Sequence, residues 1–361
     1  MKVPFVDLGP YLRRVQLDAG VVPDMVRTLM TTRDFIGSSN SPTVQAFETK
    51  LASKLDANHI VACANGTDAL QLALRASGIG PGSRVAMPNL TFFATYEAIV
   101  NVGATPVLLD IDRDDLQLSY EALTAAHDRR RFDAVVLVHL YGWCSTRLDD
   151  FRTFCRERRI ALIEDSAQAF GVKFDGRSVF ADADVATLSF YPAKVLGGIG
   201  DGGAVLCKSR QVAERVRLLA NHGRIGHYRH ATVGWNSRMD SIQALWLTRA
   251  LDVIDEVIEA RRKITRFYGA KIDGRVLGNG YLDVRKVADP CAFRARMAER
   301  EIDVMRIYPS TVDQQSGADA AVVSADLHVS QDHVRHCVSL PVWYGMTDEM
   351  VDYVLEAARA G

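Results

Sequence analysis

Net charge is what this chain most lacks: 43 Lys and Arg stand against 44 Asp and Glu, a formal charge of −1 over 361 residues. A field that weak argues against a dedicated nucleic-acid or membrane-surface binder, which would carry a basic excess, while leaving room for a local basic pocket. Long hydrophobic runs are missing too. No apolar stretch approaches the roughly 18 residues of a spanning helix, and the N-terminus lacks the basic-then-apolar order of a signal peptide, so a soluble, cytoplasmic protein is expected. Cysteine is sparse and unpatterned. The six (Cys63, Cys144, Cys155, Cys207, Cys291 and Cys337) form no C-x-x-C pair, which predicts reduced structural thiols rather than zinc ligands or a disulfide framework, and no metal. Internal repeats, low-complexity tracts and disordered linkers are absent as well.

What is present is ample core material: a hydrophobic content of 48% in a chain of this length supports about two domains. Short apolar runs at 84–90, 105–111, 134–141, 160–164, 185–191 and 203–207 have the length of buried strands. They alternate in part with helical spacing, as in Val44, Phe47, Leu51 and Leu55 and in the segment from Gln211 to Ala220. The pattern predicts an α/β sheet. From Asp240 to Ala270 the sequence is rich in charge and aliphatics with no glycine until Gly269, and reads as a long connecting helix. After it come a strand-like Tyr281–Val284, a helix-like Cys291–Arg300 and a terminal helix beyond Thr347, the makings of a smaller α+β unit. The expected division is 1–245 for a large domain and 246–361 for a small one that includes the connector.

Lysine is the scarce basic residue, nine against 34 arginines, and one of the nine closes an apolar, aromatic segment, Thr187-Leu-Ser-Phe-Tyr-Pro-Ala-Lys194. An amine chosen there over a guanidinium suits a group that must lose its proton, a Schiff-base nucleophile; the plainer alternative is a snorkelling surface charge. Two further segments bear on the choice. Arg159-Ile-Ala-Leu-Ile-Glu-Asp165 is a buried-strand pattern ending in carboxylates, which puts Asp165 at the carboxyl end of a strand, where open α/β sheets bind ligands. Ile60-Val-Ala-Cys-Ala-Asn65-Gly66-Thr67 reads as strand, turn and helix start, with Asn65 or Thr67 as N-cap and Gly78 as stop. Free N–H groups at such a start would hold a phosphate. A phosphate cradle, a carboxylate for a pyridinium nitrogen and an imine-forming lysine are what pyridoxal phosphate requires of a protein. The run Gly198-Ile-Gly200-Asp-Gly-Gly203 fits G-x-G-x-x-G, but it opens a strand instead of a helix. Its glycines are expected to let the backbone pass close to the lysine and cofactor.

Taken in order, Asn65-Gly-Thr-Asp-Ala-Leu70, Thr91-Phe-Phe-Ala-Thr95, Val138-His-Leu-Tyr-Gly142, Glu164-Asp-Ser-Ala-Gln-Ala-Phe-Gly171, Ser189-Phe-Tyr-Pro-Ala-Lys194, Gly234-Trp-Asn-Ser-Arg238 and Tyr308-Pro309 resemble the DegT-type sugar-nucleotide aminotransferases, which are fold type I pyridoxal-phosphate enzymes. The resemblance covers nearly the whole chain. It implies that Lys194 forms the imine and moves the proton, that Asp165 pairs with the pyridinium nitrogen, that Gln168 bonds the phenolic oxygen and that Phe92 stacks on the ring. Gly66, Thr67 and Ser189 would hold the phosphate, joined by Asn236 from the other subunit of a homodimer, with Arg238 and Tyr308 near the substrate. The implied activity is a ping-pong transfer from glutamate to a keto group of a nucleotide-linked hexose. A keto-cyclitol substrate stays open within the family, and a non-catalytic regulator on this fold is the alternative of another class. Ile307 and Asp313 stand where family members often have histidine.

Overall fold

The computed structural model describes residues 1–16, 20–37, 41–269, 274–324 and 326–359. The expected runs all become strands of one sheet: β1 (His59–Cys63), β2 (Arg84–Pro88), β3 (Thr105–Leu109), β4 (Ala134–Val138), β5 (Ala161–Asp165), β6 (Val185–Ser189) and β7 (Gly203–Cys207). Later in the chain come β8 (Asp283–Lys286) and β9 (Val322–Val323). The large sheet runs β1-β7-β6-β5-β4-β2-β3-β9. Only β7 is antiparallel to its neighbours, pairing with both β1 and β6 in that sense. A mixed α/β fold with a large, mostly parallel sheet is therefore present, as the sequence predicts.

Parallel strands need helical crossovers on both faces, which is why their sequences are apolar throughout instead of alternating. β4 is buried at every position. Its Val135 and Leu137 point into one core and its Ala134, Val136 and Val138 into the other. Helix α1 (Pro42–Leu55) covers the first face through Phe47 and Leu51, and α2 (Gly66–Ala76) the second through Leu70, Leu72 and Leu74. The long helix α3 (Ser241–Phe267) lies along α1, burying Trp246, Leu247, Ile254 and Ile258 in the first core. Its distal Ile264 belongs instead to a third, smaller core with Phe293, Met297, Val338, Leu340 and Val354. One helix thus enters both hydrophobic units; Ala270, the end of the expected stretch, falls outside the described residues.

The smaller unit carries α4 (Pro290–Glu299), α5 (His328–His336), α6 (Asp348–Arg359) and an antiparallel pair of β8 with β10 (Cys337–Leu340). Val3 is buried in its core and bridges to Ile302. The strand expected at Tyr281–Val284 starts two residues later, at Asp283. Tyr281 instead belongs to a turn held by side chains, described below.

Candidate active site

Because seven of the eight large-sheet strands share a direction, their carboxyl ends share an edge, and five of those ends deliver groups to a cleft of about 620 Å³. From β1 comes the Asn65 turn, from β2 Phe92, from β4 His139, from β5 Asp165 and Gln168, and from β6 Ser189 and Lys194. Tyr281, Ile307 and Tyr308, from the chain beyond α3, close the cleft and pack against the second core. Clefts of this size and lining are usual for small-molecule sites.

Asn65 is the N-cap of α2: its extended backbone leaves Oδ1 to accept from the Asp68 N–H at 2.8 Å. The N–H groups of Gly66 and Thr67 ahead of it have no hydrogen-bond partner among the described residues, and they point from a helix start, where anions are favoured. Ser189 lies across from them. A Cβ on Gly66 would fall 2.7 Å from the Ser189 Cβ, so only glycine leaves the cradle open. Gly203 is constrained in the same way, since a Cβ there would meet the Asn65 carbonyl oxygen at 2.3 Å. The glycine-rich run therefore does serve close backbone passage, here against the Asn65–Gly66 turn.

Asp165 is buried, with Oδ2 accepting from the Thr95 hydroxyl at 2.8 Å and Oδ1 from the Ala167 N–H at 3.2 Å. Burial pushes its carboxyl above the usual range, opposed by those two hydrogen bonds and by the charge of Lys194. A carboxylate so desolvated gains most from a cation brought to it, which is what a protonated ring nitrogen would be. Behind it, Glu164 pairs with Arg152 at 2.9 Å and with His139 Nε2 at 2.9 Å. Burial raises the Glu164 carboxyl, and the two partners outweigh that and hold it low. His139 Nδ1 is a buried atom without a partner on the same floor.

Gln168 is oriented by its surroundings. Its Oε1 accepts from the Tyr141 N–H at 2.6 Å, leaving Nε2 to donate to the Tyr308 hydroxyl at 3.0 Å, so a donor faces the cleft. Tyr141 holds a left-handed φ of 66° and its hydroxyl meets Nε2 of His333 at 3.2 Å. Phe92 is 58% exposed, its ring 5.9 Å from that of Tyr308. An aromatic left uncovered on a cleft wall is free to cover a flat ligand, unlike a core ring.

Lys194 sits in the loop 190–202 between β6 and β7, whose mouth is the ladder pair Ser189 and Gly203. The loop is pinned inside by Lys194 N–H to the Tyr191 carbonyl at 2.8 Å and Gly198 N–H to the Phe190 carbonyl at 2.7 Å. The Gly197 carbonyl accepts from the Tyr11 hydroxyl at 2.9 Å and from Trp246 Nε1 at 3.1 Å. The ammonium lies over the Tyr281 ring, 5.2 Å from its centroid.

Of the residues expected at the site, Gly66, Thr67, Phe92, Asp165, Gln168, Ser189, Lys194 and Tyr308 all line the cleft. Asn236 and Arg238 do not. They are joined to each other and Arg238 also to Asn221 Oδ1 at 3.1 Å, on a segment with Asn236 exposed. Asp313, at one of the two positions where family members often have histidine, is a structural carboxylate. It accepts from Asn89 Nδ2 and Gln331 Nε2, each at 2.8 Å. Thr95, His139, Tyr141 and Tyr281 were not anticipated from the sequence as site residues, since their roles come from contacts between distant segments. Among the described residues no cluster of His, Cys, Asp or Glu could hold a metal, and no helix is long and apolar enough to cross a membrane.

An anion cradle at a helix start, a buried carboxylate, an exposed ring and a lysine around one cleft fit pyridoxal phosphate in each of its parts, and they define an enzyme of the pyridoxal-phosphate class. The chain belongs to the DegT/DnrJ/EryC1/StrS aminotransferase family, whose model matches residues 25–359. It is 35% identical over 352 residues, 94% of this chain and 95% of the other, to a UDP-2-acetamido-2-deoxy-3-oxo-D-glucuronate aminotransferase of Pseudomonas aeruginosa. It is 33% identical over 377 residues, 99% and 96% of the two chains, to a dTDP-3-amino-3,4,6-trideoxy-alpha-D-glucose transaminase of Streptomyces venezuelae. Among solved structures, S. venezuelae DesV in complex with a ketimine intermediate superposes with a TM-score of 0.92 at 31% identity, covering 99% of this chain and 98% of that one. The protein is an aminotransferase that works with pyridoxal phosphate.

Proposed function

We propose that this aminotransferase moves an amino group from glutamate onto the keto carbon of a nucleotide-linked hexose, in the cytoplasm, as a homodimer with shared sites. The reading is carried by the meeting of Lys194 and Asp165 in one cleft, in a chain whose full-length relatives are named for nucleotide sugars. Those names favour a sugar over a cyclitol, and an intact lysine and carboxylate favour an enzyme over a regulator.

When bound, pyridoxal phosphate supplies an electron sink for the carbon that loses its proton. The residues of the chain do the rest. Gly66 and Thr67 N–H groups and the Ser189 hydroxyl bind the phosphate, while Phe92 covers one face of the ring and shields it from water. Asp165, held by Thr95 and Ala167, keeps the ring nitrogen protonated. Gln168 donates through Nε2 to the phenolic oxygen. Lys194 Nζ would hold the aldehyde form of the cofactor and, as a free amine, would accept and return the proton that the transfer moves. Residues 1–245 form the cofactor-binding unit, and 246–361 bring Tyr308 to the substrate. Asn236 and Arg238 turn outward to serve the other subunit's phosphate and substrate.

The test has two parts. Wild-type protein should show a visible absorption band that borohydride abolishes, and Lys194→Ala should lack the band while keeping its fold by circular dichroism. The amine form of the wild-type protein should then bind a UDP-, GDP- or dTDP-linked keto-hexose from a panel, and transfer nitrogen to it. Full turnover by Lys194→Ala, or binding of none of the panel, would sink the reading.

A further inference from the structure

The turn that brings Tyr281 to Lys194 is held more firmly than a connecting segment requires. The neighbouring arginines of α3 grip it in sequence: Arg262 Nε donates to the Gly278 carbonyl at 2.7 Å, Arg261 Nε to the Gly280 carbonyl at 3.2 Å, and Arg261 Nη2 to the Tyr281 carbonyl at 3.1 Å. Arg261 is buried and forms no ion pair with a carboxylate among the described residues; burial lowers its pKa to about 10. A buried guanidinium facing only carbonyl oxygens is costly to desolvate. Among the described residues its hydrogen bonds outside its own helix go to the Gly280 and Tyr281 carbonyls of this turn.

The other side of the turn is equally constrained. Asn279 Nδ2 donates to the carbonyls of Gln168 at 2.8 Å and Phe170 at 3.0 Å, and its Oδ1 accepts from the Tyr281 N–H at 2.9 Å. Gly142 and Gly280 approach so closely that added Cβ atoms would meet Asn279 Oδ1 at 2.3 Å and the Arg261 backbone at 2.6 Å. All of these contacts fix one thing, the place of the Tyr281 ring. On the cleft side the ring faces the Lys194 ammonium, 5.2 Å from its centroid.

We infer that Tyr281 is a positioning residue that sets the balance between the two working forms of the enzyme by stabilising Lys194 when its amine is free. The inference rests on the proposed function. In the amine form of the cofactor Nζ is an unattached ammonium. In the aldehyde form it is joined to carbon by a C=N bond, the aldehyde oxygen leaving as water with two of the ammonium hydrogens, and the remaining charge lies on a substituted nitrogen displaced toward the ring of the cofactor. An aromatic face attracts a compact ammonium within about 6 Å, worth roughly 0.5–2 kcal/mol. Tyr281 therefore favours the amine form.

The experiment is titration calorimetry of cofactor-free protein with pyridoxal phosphate and with pyridoxamine phosphate, read as the ratio of the two dissociation constants. Tyr281→Leu should move that ratio toward the aldehyde form about 2- to 30-fold, while Tyr281→Phe keeps the wild-type ratio because the ring remains. Pentafluorophenylalanine placed at 281 preserves shape and reverses the ring's electrostatics, so it should move the ratio as leucine does even if the leucine protein folds poorly. A wild-type ratio in the fluorinated protein, or a shift toward the amine form, overturns the inference. If wild-type protein binds neither compound, the proposed function fails and the inference with it.

Discussion

The cleft floor and the segment 222–238 treat their polar and apolar groups in opposite ways. On the floor, Asp165, Glu164 and Gln168 are buried and their side chains are hydrogen-bonded within the protomer. On the segment, Tyr228 and Val233 are 86% and 87% exposed, and Arg224, His227 and Arg229 stand beside them in solvent. Asn236 and Arg238 hold one another and Asn221 without reaching their own cleft. A buried polar floor must be complete within the protomer, because an unpaired charge there costs several kcal/mol. A strip of exposed rings and cations carries no such demand. The contrast teaches where the protomer completes its own polar groups, and under the proposed function it separates residues that would serve the cofactor ring from Asn236 and Arg238, which would serve a second chain.

The sharpest way to break that contrast is complementation. Lys194→Ala and Asn236→Asp proteins should each be inactive, the second because a carboxylate would repel the cofactor phosphate. Mixed in equal amounts under conditions of subunit exchange, they should regain about a quarter of wild-type activity, since half the dimers are mixed and each of those has one fully native site. Exchange without recovery would return Asn236 to a structural turn role. On the floor, Asp165→Asn replaces an anion by a neutral amide and should lower kcat by about a hundredfold or more. Stopped-flow measurement of the half-reaction would check it, and a near-normal rate would assign the role to another carboxylate.

The smallest effect concerns the support beneath the floor. Burial lowers the His333 pKa from 6.5 to about 4, so His333 stays neutral beside the Tyr141 hydroxyl where the unfolded chain would take up a proton. The native state then binds fewer protons between these values, and this residue's contribution to stability falls as pH drops from about 6.5 toward 4, by on the order of 2–3 kcal/mol. The buried Asp165, Asp115 and Asp283 are shifted upward and act in the opposite sense. The measurement is accordingly a difference: thermal midpoints of wild type minus His333→Gln should converge as pH falls through this window. A constant difference would mean His333 titrates normally.

Much of the floor was legible because strand ends are legible. Once β1, β5 and β6 are recognised as neighbours in direction, Gly66, Asp165 and Lys194 must share an edge, whatever the order of the sheet. Asn65 as the cap followed from the same local logic. Tyr281 was not legible, since Tyr-Leu-Asp-Val has strand composition and nothing local reveals that Arg261, twenty residues earlier, holds its carbonyl. The Gly278-Asn-Gly280 run before it was the available signal: a turn of that composition argues against an early strand start. Asp313 was read through histidines elsewhere, whereas its role comes from Asn89, far off in sequence. Thr95 and His139 likewise acquire meaning only when β4 lies beside β5 and β2 beyond it.

The lysine loop carries one further consequence. Its ends are tied at Ser189 and Gly203, so lengthening it by a few residues would change closure entropy by only tenths of a kcal/mol. The entropy of closure would scarcely register the insertion, whereas Val195 and Leu196, buried in the first core, would be displaced by it. Yet Lys194 depends on bonds at Tyr191, Phe190 and the twice-bonded Gly197 carbonyl, all inside that loop. Loop length is thus nearly invisible to closure entropy and is fixed instead by packing, the same packing that places Lys194, so an insertion between Phe190 and Gly202 would lose activity and part of the first core together.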